Sequence, residues 1–198
     1  MAMPTAPTME GRLVRLRAVR ADDLEAIRDI RSDPDLREAI LALPTSETLE
    51  QQRAWFQHLA ARDDQLILVI AAARDDRVLG VAGLYGISRH HGHAEWGFYL
   101  GAQGLHNSGV GVEAELLLLD RAFSVEKLRR VYCRVLSSQP RTVSLHQRFG
   151  FVVEGVMPAH AVTRQGFDDV IVMGTDAAKY SKARAGILAI IHRLSEDR

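Results

Sequence analysis

Between Ala94 and Ser124 the chain carries residue types, in an order, that could hold an anion. Ala94-Glu95-Trp96-Gly97-Phe98-Tyr99-Leu100 reads as a strand. His106-Asn107-Ser108-Gly109-Val110-Gly111 then reads as part of a glycine-rich loop, and a helix is predicted from about Val112. Loop N–H groups at a helix start point outward, and the helix dipole adds partial positive charge there. Glycine lets the backbone come close to a phosphate. Only Gly109 and Gly111 are suitably spaced, so the stretch is not a G-x-G-x-x-G loop, and no Lys-Ser/Thr pair follows as in a Walker loop. That argues against a nucleotide hydrolase.

Other chemistry-bearing residues have plainer readings. His90, His91 and His93 fall in a predicted loop without a nearby cysteine, in a spacing that fits no zinc geometry, so no metal is expected. Cys133 stands alone in the chain, which rules out an internal disulfide and makes the cytoplasm the default compartment. Its neighbours Arg130 to Leu136 read as a strand, so a buried thiol is expected rather than a nucleophile. Trp55, Phe56 and Trp96 lack an accompanying basic stripe and read as core or pocket wall. The formal net charge is +0, so no global field draws the protein to nucleic acid or an anionic membrane. No apolar run approaches the ~20 residues of a membrane span, and Met1 to Glu10 has no signal-peptide pattern.

The elements that must position these residues follow from periodicity. Met1 to Met9 reads as a frayed end. Leu13 to Arg17 alternates as a strand; a helix with Asp22 as its cap carries Leu24, Ile27 and Ile30, and Pro34 ends it. A second helix starts near Ser46 or Thr48. Gln65 to Ala73 and Val78 to Tyr85 read as a hairpin. After the loop and its helix come a strand from Leu128 to Leu136, a short helix from Thr142 to Phe149, and strands at Phe151 to Glu154 and Asp169 to Gly174. The last helix puts Tyr180, Ala183, Ile187, Ile190, Ile191 and Leu194 on one face, which packs on its own domain or forms a homodimer contact. The fold class is α/β, one domain around a mixed sheet.

The loop resembles the pyrophosphate loop of GCN5-related N-acetyltransferases, whose pattern is Arg/Gln-x-x-Gly-x-Gly/Ala. Gly109 and Gly111 match, while His106 replaces the usual Arg or Gln. A second block agrees with the family's Asn-x-x-Ala/Ser-x-x-x-Tyr-x-Lys-Leu-Gly-Phe. Gly150-Phe151 and Glu154-Gly155 match, with Gln139 for the Asn, Thr142 for the small residue, His146 for the Tyr and Arg148 for the Lys. The resemblance covers roughly residues 11 to 175 and implies a mixed sheet whose strands splay around an acetyl-CoA cleft, with residues 176 to 198 as a C-terminal helical extension.

It also implies roles. Acetyl-CoA is the co-substrate, held by Phe98, Tyr99 and Leu100 along the strand edge, by residues 106 to 111 (His106, Asn107, Ser108, Gly109, Val110, Gly111) at the pyrophosphate, and by Gln139, Thr142 and Arg148. Amine attack on a thioester needs a neutral amine, a stabilised oxyanion and a protonated leaving thiolate. His146 stands at the position of the family's general-acid Tyr, and an imidazole titrating near ~6.5 could move a proton at neutral pH. Glu95 stands where several relatives place a carboxylate base acting through water. The plain alternatives are a packing histidine and a sheet-edge charge.

The resemblance implies a small-molecule amine as acceptor. Three stretches resemble the family's branch that acetylates UDP-linked aminosugars for flagellin glycosylation in the pseudaminic acid pathway: Glu95 to Tyr99, Leu145 to Phe151 and Arg164 to Val170. A UDP-linked 4-amino-4,6-dideoxy sugar, of the UDP-4-amino-4,6-dideoxy-N-acetyl-β-L-altrosamine type, is therefore expected, with Arg31, Trp96 and Arg164 at the acceptor. Its diphosphate needs cations, for which Arg28 and Arg89 are also available. Protein N-terminal acetylation, as on ribosomal proteins, is the alternative acceptor chemistry. An acyl-CoA-binding module without transfer is the alternative outside enzymes, and the intact loop lends it no support.

Overall fold

A computed structural model of the chain describes residues 8–41, 48–59, 62–105 and 109–196. Strand β1 (Met9–Glu10) and β2 (Val14–Ala18) lead through a 3-10 turn at Ala21–Asp23 into α1 (Leu24–Arg31) and α2 (Pro34–Ala39). Helix α3 (Leu49–Leu59) precedes β3 (Leu66–Ala72), β4 (Val78–Ser88) and β5 (His93–Leu100). The short α4 (Ala102–Leu105), α5 (Val110–Ser124), β6 (Arg130–Leu136) and α6 (Pro140–Arg148) follow, then β7 (Val152–Thr163), β8 (Gly166–Asp176) and α7 (Ala177–Glu196). The eight strands form one sheet in the order β1-β2-β3-β4-β5-β6-β8-β7, antiparallel except for the parallel β5–β6 pair.

Alternation along the strands divides the core between two faces. Leu16, Leu68, Ile70, Ala82, Leu84, Ala94 and Trp96 pack with Leu116, Leu118 and Leu119 of α5 and Ile187 and Ile191 of α7. Val69, Ala71 and Val81 point the other way, against Leu24 and Ile27 of α1 and the half-buried Trp55 and Phe56 of α3. Both central strands are therefore covered on two sides, which is why their sequences read as near-continuous apolar runs.

Two buried charged groups fix how the helices leave the sheet. Arg17, 3% exposed, donates to both oxygens of Asp23, 5% exposed, at 2.7 and 2.9 Å. Asp23 also accepts from the Arg20 N–H at 2.6 Å, so one carboxylate closes the turn into α1. The second is Glu113, in the first turn of α5 and 3% exposed. Its carboxylate accepts the N–H groups of Arg12, Leu13 and Val14 at 2.8, 2.6 and 2.8 Å. The start of β2 is thereby pinned to the start of α5.

Several boundaries differ from the sequence reading, each for a local reason. Met9 is not frayed: it pairs with Leu16. The turn before α1 is capped through Arg20 and Asp23, and Asp22 is exposed. Pro34 does end α1, but it also starts α2, because Asp33 accepts the N–H groups of Asp35 and Leu36 and proline fits the first helical position. Thr48 opens α3 by exchanging bonds with Gln51; Ser46 lies outside the described residues. The last two strands are longer than their apolar cores, joined into a long hairpin that turns at Arg164 and Gln165. The apolar face of α7 packs on its own domain. Tyr180, Ile187 and Ile191 are buried, the Tyr180 hydroxyl donates to Leu116 O at 3.1 Å, and Arg184 grips Asp120 at 2.7 and 2.8 Å.

Glu113→Ala removes the acceptor of three backbone donors, of which the Val14 N–H is buried and those of Arg12 and Leu13 are partly buried. A stranded buried donor costs about 1–3 kcal/mol, so the variant should lose about 2 kcal/mol or more in urea unfolding. Glu113→Gln should lose less, because an amide oxygen can still accept.

Candidate active site

The site is built on a fork in the sheet. β5 and β6 pair only at His93↔Arg130, Ala94↔Val131 and Glu95↔Tyr132. Beyond that point Trp96 to Leu100 keep β4 as their ladder partner, and Cys133 to Leu136 keep β8. The facing edges of both strands thus carry backbone N–H and C=O groups outside any ladder. Such groups require partners, and a peptide-like ligand arm lying in the fork would supply them. The structure brings Phe98, Tyr99 and Leu100 onto one of these edges; Phe98 and Tyr99 are half-buried and Leu100 is 5% exposed.

On the α5 side, Gly109 caps α5 at φ 106°, a conformation that side chains rarely adopt. An added Cβ there would come 2.8 Å from Leu13 Cδ1, so the residue's need for glycine is met by its own packing. A Cβ added at Gly111 would lie 3.4 Å from the Phe98 ring, in ordinary contact, and Val110 is 2% exposed. His106, Asn107 and Ser108 lie outside the described residues. Gln139 caps α6 and Thr142 lies one turn on, both half-exposed. The exposed Arg148 lines a groove of about 400 Å³ between α5, α6 and α7, with Val112, Arg141, Ser144, Ile187 and Ile190.

His146 lies on the same side, at the base of the fork. It is 4% exposed, and its Nδ1 lies 3.0 and 3.1 Å from the two carboxylate oxygens of Glu115, which is 0% exposed. Its ring meets Trp96 edge-on at 5.0 Å between centroids and packs beside Phe151. Trp96 is the first β5 residue past the fork. Burial raises the Glu115 carboxyl, and the neighbouring histidine opposes that rise.

The other face carries Glu95. Both its oxygens accept from Arg134 of β6, at 2.8 and 3.2 Å. A base role through water must therefore use the lone pairs that Arg134 leaves. Tyr85 stands opposite Glu95 in the ladder, half-buried, within the fields of Arg31 and Glu95. Burial pushes its phenol up to about 12, so it stays a hydroxyl at neutral pH. Arg31 lies 5.7 Å over the Trp55 ring and donates to Gln52 Oε1 at 3.4 Å. Gln52 is 0% exposed, and its Nε2 has no partner among the described residues. At Gly97, two residues from Glu95 on the same face, an added Cβ would meet no described atom within 4 Å. This face has open space beside the fork.

Some expected groups are elsewhere. Trp96 is 2% exposed and packs in the core on the α5 face against His146, which leaves it little surface to offer an acceptor. Arg164 tethers the hairpin to α2 through Asp35 and Glu38 at 3.2 and 2.8 Å. Arg89 pairs with Glu126, near the start of β5 and away from the fork, and the half-buried Arg28 pairs with Asp29. Among the described residues no group of three metal-binding side chains converges, and no helix is long and apolar enough to cross a membrane. Glu115, Arg134, Tyr85 and Gln52 stand around the candidate site and were not singled out in the sequence. Glu115 left a trace, a lone carboxylate within the apolar run Ala114 to Leu119.

A mixed sheet forked between parallel neighbours, with a glycine-capped helix at the mouth, defines a class of acyl-CoA enzymes, and comparison with known proteins identifies it. Residues 13–152 match the family model described as Acetyltransferase (GNAT) domain. The chain belongs to the GNAT acetyltransferase family, and it is an acetyl-CoA-dependent N-acetyltransferase. It is 23% identical over 167 residues to spermidine N(1)-acetyltransferase of Vibrio cholerae, covering 83% of this chain and 94% of that one. It is 25% identical over 165 residues to an uncharacterised prophage-derived N-acetyltransferase of Bacillus subtilis, covering 83% and 90%. Its fold matches the solved Vibrio cholerae spermidine N-acetyltransferase in complex with CoA and spermine at TM-score 0.80, with 21% identity, covering 86% and 99% of the chains. A GCN5-related N-acetyltransferase from Brucella melitensis matches at TM-score 0.75, with 22% identity, covering 95% and 86%.

Cys133 stands at the fork, 3% exposed, and burial and the nearby Glu115 carboxylate push its thiol well above the usual range. It should not act as an acyl carrier. A thiol reagent at pH 8 should label it roughly a hundredfold more slowly in the native protein than in urea.

Proposed function

We propose that this acetyltransferase acylates the 4-amino group of a UDP-linked 4-amino-4,6-dideoxy sugar, as in flagellin glycan synthesis, with the sugar bound on the α1–α3 face of the fork. The observation that carries this reading is the character of that face. Beside open space at Gly97 lie an arginine over a tryptophan, a phenol, and a buried amide donor without a partner among the described residues. Aromatic surface with hydrogen-bond donors suits a sugar ring, and guanidinium groups suit a diphosphate. The resemblance of the Glu95–Tyr99 and Arg164–Val170 stretches supports the same acceptor.

A second reading is a polyamine, because a curated relative is a spermidine acetyltransferase. A polycation favours carboxylates without partners, and here Glu95, Asp35 and Glu38 are all in ion pairs with arginines. The aminosugar is preferred on that ground.

The residues on the α5 side fit acetyl-CoA. Gly109 to Gly111 would face its pyrophosphate, the edge from Phe98 to Leu100 its peptide-like arm, and Gln139, Thr142 and Arg148 the rest of its length. The bound co-substrate supplies an acetyl thioester. The chain holds amine and thioester in line, which can contribute about 7–11 kcal/mol to lowering the barrier. Glu95, on the acceptor face, takes the amine proton through water, and His146, on the cofactor face, exchanges a proton with the departing sulfur.

Three measurements check this. An acceptor screen that follows free thiol should give a kcat/KM for the UDP-aminosugar exceeding that for spermidine or for Ser- and Ala-initiated peptides by about 1.4 kcal/mol or more, a tenfold ratio. Equal or faster turnover of either competitor overturns the sugar. Gly111→Asp should weaken acetyl-CoA binding by about tenfold or more in calorimetry while the fold survives, since its carboxylate would oppose the pyrophosphate. Unchanged affinity removes the loop from the site. His146→Phe should lower kcat by about 10²- to 10⁴-fold with a small effect on acetyl-CoA affinity.

A further inference from the structure

We infer that Glu115 is a positioning residue for proton transfer, acting through His146. The inference rests on the reading that His146 moves a proton in the reaction. Three observations meet at one place. Glu115, in the middle of α5, is fully buried among apolar neighbours, and both its oxygens face a single ring nitrogen, Nδ1 of His146 on α6, at 3.0 and 3.1 Å. The opposite side of the arrangement is apolar: Trp96 of β5 edge-on at 5.0 Å, and Phe151 at 5.6 Å. The ring stands at the fork, against the first β5 residue that has left β6.

A carboxylate is costly to bury and is retained only when its partner is good. Among the described residues the ion-pair partner of Glu115 is the histidine. The charged groups nearest the fork on other elements, Glu95 of β5 with Arg134 of β6, lie across the sheet and pair with each other. Cys133 of β6, also within the field of Glu115, is held as a neutral thiol by burial. Glu113, the other buried carboxylate of α5, is occupied by the backbone of residues 12 to 14.

The carboxylate therefore accepts from Nδ1–H and holds the ring in one tautomer and one orientation. Nε2 is left as the nitrogen that exchanges protons with the reactants. This is the logic by which an acid behind a histidine sets its direction of transfer. In the acetyl transfer the amine nitrogen bonds to the acetyl carbon, the carbon–sulfur bond breaks, and its electron pair goes to sulfur. The proton that leaves the amine passes through water to Glu95, Nε2 takes up a proton from water to form the imidazolium, and that Nε2–H protonates the thiolate. When the ring becomes an imidazolium in this cycle, Glu115 neutralises it, so the buried pair passes through a state without net charge. A tyrosine at position 146 would need no such partner, which accounts for a carboxylate and a histidine occurring together here.

The test uses the full chain with the acceptor that gives the highest turnover. Glu115→Gln keeps the shape and an acceptor oxygen but removes the charge. It should lower kcat by about 10- to 100-fold and change KM for acetyl-CoA by about twofold or less. In a His146→Phe background the same substitution should lower kcat no further, because the two act as one unit. Nitrogen-15 spectra of the histidine rings, with the His146 signals assigned by their loss in His146→Phe, should show the wild-type ring protonated at Nδ1. This readout needs no turnover and no folded Glu115 variant.

The outcomes separate the two readings. His146→Phe at wild-type kcat removes the reading on which the inference rests. A slow His146→Phe beside a Glu115→Gln at wild-type kcat overturns the role of Glu115 alone. So does a further full-sized loss of kcat in the double variant, or a wild-type ring with Nδ1 unprotonated.

Discussion

β5 keeps β6 as a partner for three residues, and the parting of the two strands after Glu95↔Tyr132 is the constraint to which the rest of the molecule answers. A ladder abandoned inside a sheet leaves two rows of backbone groups outside any strand pair, a costly arrangement unless something else satisfies them. The antiparallel strands on either side hold the halves of the sheet firmly, β4 against β5 and β8 against β6, so the fork does not close on itself. The acyl-CoA function follows from that: a parallel pair joined through a helix puts the start of α5 at the mouth of the fork and α6 at its side.

The buried charges divide between holding the frame and serving the fork. Glu113 and the Arg17–Asp23 pair belong to the first group. They hold β2 to α5 and close the turn into α1, and their hydrogen bonds go to backbone, to each other and, from Arg17, to Asp76. Glu115 belongs to the second. It is two residues from Glu113 on the same helix, yet it meets only one titratable ring. Burial of such a carboxylate contributes little stability compared with an apolar residue of similar volume, which makes its place beside the fork more informative than its place in the core.

The two faces of the fork also differ chemically. The α5–α6 side offers glycine backbone, small polar side chains and the two arginines of the groove, Arg141 and Arg148. The α1–α3 side offers Tyr85, Trp55, Arg31 and the Glu95–Arg134 pair around open space at Gly97. A thioester entering from one side and an amine from the other would meet where the strands part, with His146 on one face and Glu95 on the other. The ion pairs between Arg164 and the carboxylates of α2 tie the long hairpin to that helix.

Much of this was legible in the order of residues. Strand alternation, the apolar run of α5, the glycine spacing at Gly109 and Gly111 and the Gly150-Phe151 punctuation are local patterns, and local patterns report the backbone state that produces them. They were enough for the α/β class and the family, and for the element order apart from β1, α2 and α4. The resemblance also singled out His146 and Glu95, which stand on opposite faces of the sheet beside the fork. What the sequence could not show is which side chains meet across long separations. Glu115 and His146 are 31 residues apart, Glu95 and Arg134 39, and Arg12 and Glu113 101. Pairing at such distances depends on strand register and helix rotation, which one residue of slip would reverse. For the same reason Trp96, by type a pocket wall, became a buried support, and Arg164, by type a phosphate ligand, became a tether. The sequence by itself determined the elements and the chemistry within their reach. Tertiary structure alone decided which charge faces which, since that is settled only when the sheet and its helices pack.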